Sequence, residues 1–145
     1  MIQRIQSLFL LLTSAGFFSL FKFPFASSQT SIPVFMSDQV YNIYDHVILL
    51  VMTGLGGLLS ALTVFMFQNR TLQLKLNQLL IVVSLLLPLV SFLLFFNEGK
   101  NILKSTAIED EAGLYILLGV VLFSFLSYRY IQKDQNLVES MDRLR

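Results

Sequence analysis

The chain has 145 residues, of which 55% are hydrophobic and 13% charged, against roughly 45–50% and about 25% in soluble domains. A soluble domain of this size would leave a large apolar patch in water, so the composition excludes one and points to a single integral membrane domain. The formal net charge of +1 excludes a nucleic-acid surface, and the lack of Cys excludes disulfides, thiolate metal sites, iron–sulfur clusters and thiol redox chemistry.

Four apolar stretches, at about 5–21, 47–67, 79–96 and 112–130, approach the roughly 20 residues that cross a bilayer. They predict an all-α four-helix transmembrane bundle over residues 1–145, with a tail at 131–145. The first stretch competes with a cleavable signal peptide, since MIQR resembles a charged n-region and FASS supplies small residues. Its length, and Lys22 with Pro24 before the small residues, favour a retained span. Lys22 can snorkel to the interface.

The connection after it, residues 22–46, holds β-favouring pieces (IPVF and VYNIY), with Tyr41 and Tyr44 suited to a membrane interface. Together with residues 97–111 it could form a small cap of two loops. His46, the single histidine, reads as an interfacial residue with Asp45 capping the second helix. In that helix TGLGGLLSA sets Thr53, Gly57 and Ala61 on one ridge and Gly56 and Ser60 on the next. Small residues four apart let helix backbones approach closely in lipid, here against the third or fourth span or another protein. Gly113, Gly119, Ser124 and Ser127 repeat this surface more weakly in the fourth span.

The link 68–78 is short and predicts antiparallel neighbours. Pro88 interrupts SLLLPLVS, cancels the hydrogen bond to the Ser84 carbonyl and predicts a kink, with the Ser84 hydroxyl available to the freed backbone. The fourteen Phe residues read as lipid-facing bulk. Apart from Arg129 at the edge of the fourth, no Asp, Glu, Lys, Arg or His lies within the four stretches, which argues against proton relays and ion-coupled transport.

With the N-terminus inside, seven of ten Lys and Arg residues (Arg4, Arg70, Lys75, Arg129, Lys133, Arg143, Arg145) fall on the cytoplasmic side. The tail carries both signs of charge, which makes it a poor polybasic anchor. Asn136 and Glu139 suggest a capping box, where a short amphipathic C-terminal helix could begin at Leu137, and the fourth span is expected to continue into the tail as a helix. Its Leu137–Met141–Leu144 face, interrupted upstream by Asp134, is the candidate docking surface, against the Arg70–Lys75 segment or a cytoplasmic partner.

The start MIQRIQSLFLLL and the end, Lys133-Asp134 through Leu137-Val138-Glu139-Ser140 to Asp142-Arg143-Leu144-Arg145, resemble a bacterial family of small four-span inner-membrane proteins of unknown function. The resemblance implies a bacterial inner membrane and uncleaved spans. It brings no catalytic residues.

The residues themselves offer no nucleophile–base pair and no metal-ligand set, so neither an enzyme nor a cofactor is expected. The reading is a non-enzymatic accessory or scaffold subunit, with lipid and another membrane or cytoplasmic protein as partners. The alternative is a lipid- or small-molecule-binding protein with an interhelical cavity near Pro88. The charge asymmetry predicts that a reporter fused after Arg145 is active only on the cytoplasmic side, and activity on the opposite side would invert the topology.

Overall fold

The computed structural model describes residues 2–28, 38–99 and 108–142. Four helices form an antiparallel bundle: α1 (Ile2–Ser19), α2 (Val47–Phe65), α3 (Arg70–Gly99) and α4 (Ala112–Asp142). Each helix packs on its neighbours in sequence, and α1 closes the ring against α4. At 1.5 Å per residue the 30 residues of α3 reach about 45 Å and the 31 of α4 about 46 Å. Both exceed the hydrocarbon thickness of about 30 Å.

Three helices are long and apolar enough to cross a membrane: α2, α3 and α4. The apolar part of α1, Ile5–Ser19, is shorter.

The buried positions explain why these sequences form one bundle. In α1 they are Gln6, Leu10, Thr13 and Phe17, continued by Leu20 just past its end; in α2, Leu49, Thr53, Gly56, Ser60 and Thr63. In α3 they are Gln73, Asn77, Leu80, Ser84, Leu87 and Ser91, and in α4, Leu117, Val120, Ser124, Ser127 and Ile131. Every row steps by four and three, the 3.5-residue period of a left-handed bundle. The outward rows are leucine and phenylalanine, such as Leu55, Leu58 and Leu62 on α2 and Leu85, Leu89 and Phe92 on α3. Polar groups inside and apolar groups outside suit a lipid surround, where a buried hydroxyl needs a protein partner and an exposed Leu costs nothing.

The small ridge of α2 faces α1, not the third or fourth helix. A Cβ on Gly56 would come within 2.5 Å of the buried Phe17 ring, and one on Gly57 within 3.1 Å of Phe18. The seam is tied twice: the Ser60 hydroxyl donates to the Leu10 carbonyl at 2.7 Å, and Ser14 to the Gly57 carbonyl at 3.3 Å. Thr53 lies buried on the same face and returns its hydroxyl to the Leu49 carbonyl at 2.7 Å. Ala61 is half-buried beside it. On the other flank of α1, a Cβ on Gly16 would meet Val120 of α4 at 2.5 Å.

The two longer connections do form a cap. Its sheet runs β2 (Val40–Tyr41), β1 (Ala26–Ser28), β3 (Ile108–Asp110), all antiparallel, pairing Ala26 with both Tyr41 and Asp110. The IPVF segment lies outside the described residues. Tyr41 is fully buried where an interfacial position was expected: its hydroxyl donates to the Ser91 carbonyl at 3.1 Å, and its ring meets Phe25 and Phe95. Phe17 and Phe25 are likewise core residues, unlike the exposed Phe18, Phe65 and Phe92.

Position 46, not 45, caps α2: His46 holds the extended N-cap conformation, while Asp45 accepts the Asn42 backbone N–H at 2.6 Å and closes the preceding turn. Gly113 opens α4 directly under the cap, where its N–H donates to the Pro24 carbonyl at 2.8 Å and leaves no room for a side chain.

Most of the 68–78 link is helical. The turn between α2 and α3 shrinks to Met66–Asn69, with the Met66 N–H on the Thr63 carbonyl and the Asn69 N–H on the Met66 carbonyl. The fourth span continues into the tail as expected, with α4 unbroken to Asp142, so no separate helix starts at Leu137 and a helix interior has no use for a capping box at Asn136.

Gly56→Leu should lower stability by about 1–3 kcal/mol through overpacking, and Gly57→Leu by less because the Phe18 ring can swing outward. Thermal unfolding in detergent reads both. Equal, wild-type melting of the two variants would place this ridge against lipid.

Candidate functional site

Two places bring unusual groups together: a polar column along the α3–α4 seam and a cleft beneath the sheet. The column begins at the end of the bundle that carries both termini. Arg70, on the first turn of α3, sets its guanidinium 3.4 Å from Asp134 on α4, and Gln6 of α1 donates to the same carboxylate oxygen at 3.3 Å. The Arg70–Asp134 contact is an ion pair without hydrogen-bond alignment, as the guanidinium nitrogen nearest the acid makes no hydrogen bond. The side chains are 30% and 14% exposed, so water screens the pair only partly. Three helices meet at one carboxylate.

Further into the bundle, Gln73 donates to the Thr63 carbonyl of α2 at 3.2 Å. The fully buried Asn77 donates to Ser127 Oγ at 2.8 Å, and that hydroxyl passes its own proton to the Ser124 carbonyl at 2.7 Å. One turn on, the Ser84 and Ser124 hydroxyls lie 2.9 Å apart. Each also reaches a carbonyl of its own helix, Ile81 and Val121 respectively. With one proton per hydroxyl, one serine donates across the seam and the other donates back along its helix. The Ser84 hydroxyl, expected to serve the backbone freed by Pro88, is thus engaged with Ile81 and Ser124.

The cleft lies at the sheet end, where Pro88 sits in a continuous α3. It encloses about 490 Å³ and opens outward between α3 and α4. Pro88, Phe92 and Phe95 form one wall and Leu114, Leu117 and Leu118 the other, under a roof of Phe25, Tyr41 and Asp110. Asp110 is the only charged side chain among the described residues that line it. At the opposite end of α4 a shallower recess of about 590 Å³ is bordered by Arg129, Lys133, Asn136 and Leu137.

The candidate docking row fares unevenly. Leu137 is exposed, the Met141 side chain and Leu144 lie outside the described residues, and Asp134 provides a link to Arg70. No group of three or more His, Cys, Asp or Glu able to hold a metal occurs among the described residues. Sequence reasoning passed over Gln6, Gln73, Asn77, Ser84 and Asp134 as members of one column. The available signal was their spacing of four and three along α3 and α4.

An all-α bundle with apolar outer rows, a hydrogen-bonded polar seam and three helices of spanning length is the architecture of a multi-pass membrane protein. The chain belongs to the family described as Domain of unknown function (DUF4293), whose model matches residues 2–144. No curated protein and no solved structure matches it.

Replacing Asp134 with Ala strands a half-buried guanidinium, and should cost about 1–2 kcal/mol, between the values for exposed and buried pairs. Replacing Arg70 and Asp134 together with Leu should recover part of that loss. Denaturant titration of the two variants in detergent checks the order, and a double variant weaker than Asp134→Ala would contradict it.

Proposed function

We propose that the protein is a non-enzymatic accessory or scaffold subunit of a bacterial inner membrane, crossing it four times with both termini in the cytoplasm. The observation that carries this reading is the mutual pairing of the core polar groups: Asn77 with Ser127, Ser84 with Ser124, Gln73 with Thr63, and Gln6 with Asp134. They hold helices to one another and do not converge on a shared space where a substrate could sit. Catalysis needs such groups poised toward a reacting atom.

The fourth crossing rests on α1, whose apolar part is short. Its support is lateral: Gln6 meets Asp134 near the terminal end, while Phe17 fills the Gly56 notch toward the sheet end. A helix so bound travels with its neighbours, and Lys22 beyond its C-terminus can reach the interface. The preponderance of Lys and Arg at the terminal end supports the inward orientation. Past Asp134, α4 runs on for two turns with Asn136, Leu137 and Ser140 exposed, a helical surface suited to a cytoplasmic partner.

The cleft under the sheet favours a second reading, binding of a lipid or small apolar molecule, because its volume falls within the range of roughly 300–1,000 Å³ typical of ligand sites.

Deleting residues 136–145 leaves the Asp134–Arg70–Gln6 contact in place. Insertion and abundance should therefore stay at wild-type level, while proteins that co-purify in mild detergent are lost. Unchanged partners with intact insertion would remove the docking role from this helix end.

A further inference from the structure

We propose that the cleft between α3 and α4 holds one membrane phospholipid, its acyl chain against Pro88 and its headgroup, a primary ammonium, on Asp110. The proposal rests on the second reading above and names the ligand class. Three observations carry it.

The first is the direction of the cleft. On α4 its wall descends from Leu114 to Leu118, and on α3 from Phe95 to Pro88. Each wall spans about 6–10 Å along the helix axis, so the cleft runs parallel to the helices, as a lipid chain lies in a bilayer. The second is its opening. Phe92 is 66% exposed and Leu118 54%, so the mouth faces the lipid-facing surface of the bundle. A molecule entering from that side is a lipid, and its apolar chain meets Phe, Leu and Pro side chains along the whole cleft.

The third observation is the single charge at the top. Pairing with Ala26 in the sheet fixes the backbone of Asp110. The neighbouring Glu111 carboxylate already accepts the Ser27 hydroxyl at 2.8 Å, and the Tyr41 hydroxyl is given to the Ser91 carbonyl. Asp110 thus presents a carboxylate where the headgroup of a chain seated below it lies. A carboxylate accepts hydrogen bonds and favours a cation that donates them. A primary ammonium offers three N–H donors, a trimethylammonium none, and a phosphoglycerol headgroup adds only negative charge.

The test uses the full chain purified in mild detergent and exposed to an equimolar mixture of phosphatidylethanolamine, phosphatidylcholine and phosphatidylglycerol carrying identical chains, with retained lipid counted by native mass spectrometry. One lipid should be retained, with phosphatidylethanolamine over phosphatidylglycerol by about threefold, the scale of one partly exposed ion pair. Asp110→Asn should bring that ratio to about one with the lipid still bound. Leu118→Trp, an outward position whose ring fills the cleft, should abolish retention of every headgroup. Retention without headgroup preference, or a preference unaltered in Asp110→Asn, would overturn the ammonium assignment while sparing the lipid-binding reading. A wild-type chain that retains no lipid, or equal retention by Leu118→Trp, would overturn both.

Discussion

Lipid cannot hydrogen-bond a buried polar group, and this one constraint arranges the bundle. Serine, threonine, asparagine and glutamine side chains occupy the inward rows, where Thr53 finds a carbonyl of its own helix, Ser60 a carbonyl of the next and Asn77 a hydroxyl across the seam. Hydrogen bonds between membrane helices are worth only about 0.6 kcal/mol on average, so no single pair dictates the assembly. Their placement does. Asn77 meets Ser127 only when α3 and α4 are in one axial register, and Ser60 meets Leu10 only when α1 and α2 are close enough for Gly56 to accept Phe17. Leucine against leucine would tolerate a slip that these pairs do not.

Hydropathy and periodicity made the four helices legible, because long runs of Leu, Val and Phe leave little else to form. The ends were misjudged where the interior turns polar. Gln73 and Asn77 look like loop residues to a hydropathy reading, yet both are buried in α3, their amides satisfied by α2 and α4. Asp134 looked like a break in an apolar stripe and is the residue that fastens the tail. The small ridge of α2 was visible in its spacing, but the partner was not: choosing α1 depends on Phe17 and Phe18 being large where Gly56 and Gly57 are small, a match between segments some forty residues apart. Ala26–Ser28 gave no β signal, since Ala and Ser have little preference for strands; pairing between two distant connections makes it one.

The sheet and the polar column act at opposite ends of the same molecule. At the sheet end, Tyr41 plugs the bundle and ties the cap to the Ser91 carbonyl of α3, while Gly113 lets α4 start directly against the Pro24 carbonyl. The rigid roof that results is what gives the cleft a defined upper boundary. At the terminal end, Arg70 and Gln6 join three helices at the Asp134 carboxylate, beyond which Asn136, Leu137 and Ser140 of α4 are exposed. The molecule is therefore capped at one end and exposes those α4 side chains at the other.

The central position of β1 imposes an order on biosynthesis. Its partner β2 emerges soon after it, but β3 lies beyond two further helices, and the Ser27–Glu111 bond joins residues 84 apart in the chain. At roughly 5–20 residues per second, that gap takes on the order of ten seconds to synthesise. Through that interval β1 has one open edge, with Ser27 lacking its acceptor. The strand pairing completes only after α2 and α3 have been made, so the finished cap is a record that the chain has doubled back through both helices.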